Sequence, residues 1–505
     1  MIGTLTLPFW ENRSLLARQW QDLDHKDFEN GLFLESLTQW GSVRPRRGGE
    51  WPCLGCAGPV IFTHFSHHPM QHPIGIGLAG LGNVGAGVFK NLQANRALLR
   101  ERLGLDLQVK KAAVRDVARR AEEGFPPELL TSRWQDLVED PEIRIIVEVM
   151  GRKEESLELI LAAIAAKKIV VTANKALLAE HGRDIFEAAT LHGVPVFYEA
   201  AVGGGIPIIK ALREALIGNH IISIHGIING TSNYILTRMR EAGLSFPEAL
   251  AEAQAAGYAE PDPSFDVNGW DAAHKAIILA SLAYGFWIPP EQISVEGIES
   301  LTAADFRFAR QLGYAIKLLG VIKASSSTPG SEIEVRVHPT LVPEKHVLAS
   351  VNGVFNAVAV HGNVVGETLF YGRGAGQDPT SSAILCDIAE AAEALANPRR
   401  NLGFMPHGLY GRCKPLDSVL SEYYVQLWVE DRPGVIAQVA GILGELHIGI
   451  SSIFQPESPD EGAMVPLVMM IHTASHAQIR TALEQINALP CVHRQPRMIR
   501  VEHFS

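Results

Sequence analysis

The sequence predicts an α/β protein built on a Rossmann-type parallel sheet, with an inserted α+β domain and a C-terminal βαββαβ module. Three observations predict it. From Pro73 onward, apolar strand-like runs alternate with helical stretches. A glycine-rich turn joins the first strand to the first helix. The segment Tyr423–Ser505 reads strand, helix, strand, strand, helix, strand.

Composition bounds the rest. The chain has 505 residues, 47% hydrophobic and 20% charged, room for roughly two to four domains. A core of that size needs no disulfide or metal staple. The net charge of -11 and the lack of a sizeable basic patch argue against nucleic acid as a partner. The longest apolar runs, such as Ala276–Ala283, are far shorter than the roughly 20 residues of a membrane span. The start lacks a basic stretch followed by an apolar core, so no signal peptide is expected. The 5 cysteines are sparse and odd in number, which suits the cytoplasm.

Residues 1–72 differ in pattern from the rest of the chain and are expected to be a poorly ordered N-terminal extension. They hold Trp10, Trp20, Trp40 and Trp51, a basic stretch Arg44–Gly49, and His64, His67, His68 and His72. A short helix is expected near Ser14–Asp22. Cys53-Leu-Gly-Cys56 lacks the second cysteine pair that a zinc site would need. The alternating region then begins. Ile74–Ala79, Leu107–Val114, Ile143–Met150, Ile169–Thr172 and Pro195–Glu199 read as strands. Asn83–Leu103, Leu157–Lys167 and Ile185–His192 read as helices between them. After Gly203 helical patterns dominate Thr231–Tyr284. Strand-like runs come next at Glu332–Val337 and Asn356–Val360, and a helix at Asp378–Ala396. The expected division is 73–201 plus about 374–400 as one nucleotide-binding domain, 202–373 inserted, 401–422 a linker, and 423–505 the last module.

Ile74-Gly-Ile-Gly-Leu-Ala-Gly80-Leu-Gly82-Asn83-Val84-Gly85 is a strand running into G-x-G-x-x-G. Gly80 permits the tight turn, Gly82 lets backbone approach a pyrophosphate, and Gly85 lets helix pack on strand. The N–H groups of Asn83 and Val84 open the helix toward the phosphate. At the end of the second strand stand Arg115 and Asp116. An acidic residue there binds a ribose hydroxyl and an arginine binds a 2′-phosphate, so spacing leaves NAD and NADP both open, with solvated strand-end charges as the plain alternative. Thr172-Ala-Asn-Lys175 puts a lysine just past a parallel strand, where ligands bind. A surface lysine at a helix start is the plain alternative.

The densest constellation is Gly257-Tyr258-Ala-Glu260-Pro-Asp262-Pro-Ser-Phe-Asp266-Val-Asn-Gly-Trp-Asp271-Ala-Ala-His-Lys275. Pro-Asp-Pro makes a stiff loop. Asp271 and Lys275 then share one face at the start of an apolar helix. A lysine cation can protonate an alkoxide formed by hydride delivery, and carboxylates can grip a substrate ammonium group. A capped helix with an ordinary ion pair is the alternative. In Glu199-Ala-Ala-Val202-Gly-Gly204-Gly-Ile206-Pro, consecutive glycines let carbonyls turn inward toward a small cation, or simply form a hinge.

These stretches, with Gly226-Ile-Ile-Asn-Gly-Thr-Ser-Asn-Tyr234 and Tyr371-Gly-Arg-Gly374-Ala-Gly376, resemble homoserine dehydrogenases over about Pro73–Asn401. The resemblance implies reversible NAD(P)H-dependent reduction of L-aspartate 4-semialdehyde to L-homoserine, a step of threonine, methionine and isoleucine biosynthesis. It implies Lys275 as general acid and base, with Lys175 beside nicotinamide and substrate as the competing proton donor. Glu260 and Asp271 would bind substrate, with Asp266 and Tyr258 nearby. NADP would be the cofactor, with NAD as the alternative. Gly80, Gly82, Asn83, Val84, Gly85, Arg115, Thr172, Lys175, Gly374 and Gly376 would contact it. Backbone oxygens of Glu199, Val202, Gly204 and Ile206 would hold a structural sodium ion. The inserted domain would bind substrate and make the contact of a homodimer or homotetramer. Where the family tends to have two glycines, this chain has Gly151-Arg152, a bulky cation near the cofactor.

The last module, with Asp431-Arg-Pro-Gly434 and Ile448-Gly-Ile-Ser-Ser, resembles an ACT domain, which implies an amino-acid effector. Threonine is the natural candidate, and a ligand-free dimerisation module the alternative. Two other readings compete for the whole chain. A prephenate-type dehydrogenase does not explain Asn229–Tyr234 or Glu260–Lys275. An amino-acid sensor on an inactive dehydrogenase scaffold is opposed by the intact glycine turn and both lysines.

Overall fold

Strand β1, Ile74–Ala79, is buried at all 6 of its positions, as a strand covered on both faces must be. In the computed structural model, which describes residues 73–326, 328–396, 403–456 and 464–504, it is the central strand of a parallel sheet. The N-terminal extension, the helix expected near Ser14–Asp22 and the Cys53–Cys56 pair lie outside the described residues. With β2 (Leu107–Ala113), β3 (Leu130–Thr131), β4 (Ile143–Glu148), β5 (Ile169–Thr172) and β6 (Val196–Phe197), the order is β3-β2-β1-β4-β5-β6. This is the doubly wound order, and its direction reverses beside β1, where ligands bind at the carboxyl ends.

The helix expected over Asn83–Leu103 is two helices, Asn83–Ala94 and Arg96–Leu103. They meet at Asn95, whose side-chain amide donates to the Asn91 carbonyl at 3.0 Å and competes with the backbone ladder. Helix Gln377–Ala396 returns to this unit and packs on Asn83–Ala94. The Gln377 amide donates to the Asn83 carbonyl at 2.8 Å, and Asn91 Nδ2 donates to Ser381 at 2.7 Å.

The remaining strands form one 11-stranded sheet, and several of them are not evident from periodicity. These strands are β7 (Ile221–Ile227), β8 (Ser294–Val295), β9 (Tyr314–Ala324), β10 (Ser331–Pro343), β11 (Phe355–Gly362), β12 (Gly366–Arg373), β13 (Tyr410–Cys413), β14 (Leu420–Glu430), β15 (Ile450–Phe454), β16 (Met464–Ser475) and β17 (Arg497–Val501). The main order is β12-β11-β7-β9-β10-β17-β14-β16-β15. One edge of β10 pairs along its length with β9. Its other edge is tiled by three short parallel partners: β13 at Ser331–Ile333, β8 at Arg336–Val337, and β17 at Thr340–Leu341. The C-terminal module therefore does not hang from a linker; its sheet continues the sheet of the inserted segment. Helices Gly230–Ala242 and Trp270–Tyr284 cover one face of that sheet.

Candidate functional site

The glycine turn is built as its spacing requires. Gly80 sits at φ +103°, a backbone state that favours glycine. A Cβ on Gly85 would lie 2.1 Å from the Gly80 carbonyl oxygen, so only glycine lets the helix start so close. A Cβ on Gly82 would meet nothing within 4 Å, which leaves its backbone open to a ligand. In front of the turn is a cavity of about 370 Å³, lined by Gly80, Gly82, Arg115, Arg119, Arg120 and Arg152 among others. Asp116 spends one carboxylate oxygen capping helix Val117–Glu122, accepting from the Arg119 N–H at 3.0 Å. Arg119 and Arg120 pair with Glu123, and Arg152 pairs with Glu155 at 2.7 Å. Arg115 has no charged partner among the described residues and is exposed at the cavity wall. The sequence reading singled out Arg115 and Arg152 but missed Arg119 and Arg120. A helical turn brings those two back beside the strand end.

Sequence reasoning also missed Glu148, at the carboxyl end of β4 and fully buried. Its two oxygens accept from Thr172 at 2.7 Å, Ser156 at 2.7 Å and the Met150 N–H at 2.9 Å. Thr172 in turn accepts from the Asn174 N–H at 3.1 Å. Glu148 thus ties the ends of β4 and β5 together, and Thr172 acts within that tie. Asn174 caps helix Lys175–His192, its side-chain oxygen accepting from Leu177 at 3.2 Å. That cap aims the first helical residue, Lys175.

The lysine and carboxylate cluster forms around Asp271. Its Oδ2 accepts from Lys275 Nζ at 2.6 Å and from Asn229 Nδ2 at 2.8 Å. Its Oδ1 lies 3.3 Å from Lys175 Nζ. Lys275 Nζ also donates to the Ile228 carbonyl at 2.7 Å. Asn229 has a double duty: its Oδ1 caps helix Gly230–Ala242 through Ser232 at 2.7 Å, and its Nδ2 also reaches Asp266 at 2.7 Å. Burial alone would raise the Asp271 carboxyl, but the Lys275 and Lys175 ammonium groups and the two hydrogen bonds outweigh it. They hold the group at about 2. For Asp266 burial wins, aided by the neighbouring Asp271 charge, and its pKa is raised despite the Asn229 bond. The cluster is a carboxylate that stays ionised between two ammonium groups, with a second carboxyl nearby that takes protons more readily.

Glu260 and Tyr258 are not drawn into this cluster. Both are exposed. The Glu260 carboxylate has no partner among the described residues, while the Tyr258 ring rests 4.9 Å from the Tyr234 ring. They lie in the connection between helix Phe246–Ala255 and the Pro261-Asp262-Pro263 run.

In the glycine loop, Gly203 and Gly204 take φ +76° and +53°. The Val202 and Gly204 carbonyls accept no hydrogen bond among the described residues, while those of Glu199 and Ile206 each accept one backbone N–H, at 3.4 and 2.8 Å. The buried Glu199 carboxylate accepts the Ile209 and Lys210 N–H groups at 2.9 and 2.8 Å and so fixes the loop's exit. Two of the four carbonyls are thus uncommitted among the described residues, and the other two keep a spare lone pair. The turn Gly374–Gly376 abuts this loop: a Cβ on Gly204 would lie 2.6 Å from the Gly374 oxygen.

Known proteins resemble this chain in sequence and fold. Residues 80–199 match the profile described as homoserine dehydrogenase, NAD binding domain, residues 207–389 that of homoserine dehydrogenase, and residues 423–491 that of the ACT domain. The homoserine dehydrogenase of Pseudomonas aeruginosa is 44% identical, over 86% of this chain and 100% of its own. That of Bacillus subtilis is 35% identical over 85% and 98%. The crystal structure of a homoserine dehydrogenase from Thiobacillus denitrificans superposes with a TM-score of 0.79 at 44% identity, covering 85% of this chain and 98% of that one. A hyperthermophilic archaeal homoserine dehydrogenase in complex with NADPH superposes with a TM-score of 0.55 at 28% identity, covering 66% and 100%. On these matches, this chain belongs to the homoserine dehydrogenase family of pyridine-nucleotide oxidoreductases.

Proposed function

We propose that the chain uses Lys275 as the proton donor when L-aspartate 4-semialdehyde is reduced to L-homoserine, and as the proton acceptor in the reverse direction. The observation that carries this reading is the grip of Asp271 and the Ile228 carbonyl on Lys275 Nζ, at 2.6 and 2.7 Å. Two fixed acceptors leave the third ammonium hydrogen for the substrate oxygen. Bound nucleotide supplies the hydride. The ionised Asp271 holds both lysine side chains in place while the oxygen gains negative charge. Lys175, on the other side of Asp271, steadies the same oxygen and is the competing donor. Glu260 and Asp271 bind the substrate, with Asp266 and Tyr258 nearby. Gly80, Gly82, Asn83, Val84, Gly85, Thr172, Gly374 and Gly376 surround the nucleotide. Nothing in the site favours the inactive-sensor alternative.

The nucleotide we assign is NADP(H). Arg115 has no charged partner among the described residues, and Arg119 and Arg120 line the same cavity, whereas Asp116 is engaged as a helix cap. Arg115→Ala should therefore weaken NADP much more than NAD, by about tenfold or more in KM for a lost charge-assisted pair. Equal losses with both nucleotides would reject the assignment. Sodium, held by the Glu199, Val202, Gly204 and Ile206 carbonyls, would stiffen the glycine loop without entering the chemistry. The exposed Leu369 and Tyr371 on the edge strand β12 support a homodimer or homotetramer. Free thiols at Cys386, Cys413 and Cys491 suit the cytoplasm. Threonine at the ACT module is the proposed effector, supported by the match over residues 423–491. Homoserine oxidation followed at the nicotinamide band, with NAD and NADP separately and with threonine added, tests the whole reading. Turnover favouring NADP and falling with threonine is expected; turnover unmoved by threonine would remove the effector.

A further inference from the structure

Asn356, in the second position of β11, is almost fully buried, and neither its side-chain nitrogen nor its oxygen has a hydrogen-bond partner. A primary amide offers two donors and two acceptor sites. Enclosing one unpaired is costly, so its retention calls for an explanation. A buried leucine would fill the same space at no such cost.

Its neighbours supply one. A Cβ on Gly374 would lie 1.9 Å from Asn356 Nδ2, so the turn Gly374–Gly376 lies directly on the amide. The N–H groups of Gly374, Ala375 and Gly376 donate no hydrogen bond among the described residues. That turn leads into helix Gln377–Ala396, which grips the Asn83 carbonyl at the start of the phosphate-facing helix. On the other side, a Cβ on Gly230 would lie 3.7 Å from Asn356 Oδ1. Gly230 comes directly after Asn229, the residue that holds Asp266 and Asp271. The unpaired amide is therefore wedged between the segment that meets the nucleotide and the segment that sets the substrate carboxylates.

We propose that Asn356 is a positioning residue: when nucleotide binds, its side-chain oxygen accepts an N–H of the Gly374–Gly376 turn, locking that turn against the start of helix Gly230–Ala242. The lock sets the register between nucleotide and the Lys275 cluster. The proposal rests on the nucleotide reading above, in that the turn must lie on bound nucleotide.

The test uses the full chain with Asn356→Leu, close to isosteric, and Asn356→Ala as a second variant. Thermal midpoints are measured with and without saturating NADPH, and KM for NADPH is measured in turnover. Asn356→Leu should melt at or above the parent temperature without nucleotide, because an unpaired polar group is gone. NADPH should then raise its midpoint less than it raises the parent's, and KM for NADPH should rise about 2- to 12-fold, the worth of one hydrogen bond. A merely structural asparagine gives the opposite pattern: a lower midpoint with an unchanged KM for NADPH. That result overturns the proposal. Should the leucine variant not fold, an unchanged KM for NADPH in Asn356→Ala does the same. A parent chain inactive with both nucleotides would instead count against the nucleotide reading. An active parent with unaltered variants sinks only the role of Asn356.

Discussion

Lys275→Ala is expected to lower kcat by about 10²- to 10⁴-fold, the usual worth of a positioned general acid, while NADPH binding stays near the parent value. The separation arises from location. Lys275 Nζ is held by Asp271 and the Ile228 carbonyl, whereas the nucleotide cavity is lined from the glycine turn and the arginines around Arg115. Single-turnover hydride transfer, read alongside NADPH fluorescence titration, would separate chemistry from binding. Retained turnover in Lys275→Ala would transfer the proton role to Lys175. The parallel variant Lys175→Ala should lose less, because that lysine is partly exposed and only 3.3 Å from Asp271, not locked by a second acceptor.

Asp271→Asn should damage both activity and stability. It removes the one carboxylate bonded to Lys275 among the described residues and leaves the buried ammonium group with neutral acceptors alone. Breaking a buried pair from one side costs about 3–5 kcal/mol, and turnover should fall by about 10²-fold or more as the lysines lose their orientation. The pH dependence has a definite sign. The folded Asp271 carboxyl is held at about 2, below the roughly 3.9 of an unfolded chain. Its stabilising contribution is complete above the unfolded value and is lost as pH falls toward the folded one. Urea midpoints of parent and variant should therefore differ most near neutrality and converge as pH drops below about 4. A gap that stays constant down to pH 2 would mean that the Asp271 charge does not stabilise the fold.

Much of this site was legible in sequence because its causes are local. Gly85 can be read without a structure, since its packing against the preceding turn concerns residues close in the chain. Asp271 and Lys275 are one helical turn apart, so their pairing can be read from spacing. The contact between Lys175 and Asp271 joins distant segments, and no local pattern announces it. Glu148 looks like the polar end of an apolar strand; only its three hydrogen bonds reveal what it holds. Asn356 hides in the same way within a strand. β7 and β9 escaped because buried strands lack alternation, and a short apolar run does not distinguish strand from helix. Glu260 marks the opposite limit. Motif likeness places it with the substrate, while in the fold its exposed carboxylate has no partner among the described residues.

The tiled edge of β10 changes what the C-terminal module is to the rest of the chain. Thr340 and Leu341 find their partners in β17, so excising the module would strip backbone donors and acceptors from a long, largely apolar strand. Such a bare edge recruits other chains. Truncation of the module would thus favour self-association. The same continuity joins the module to the site: β14 pairs with β17, β17 with β10, β10 with β9 and β9 with β7, the strand that leads into Ile228 and Asn229.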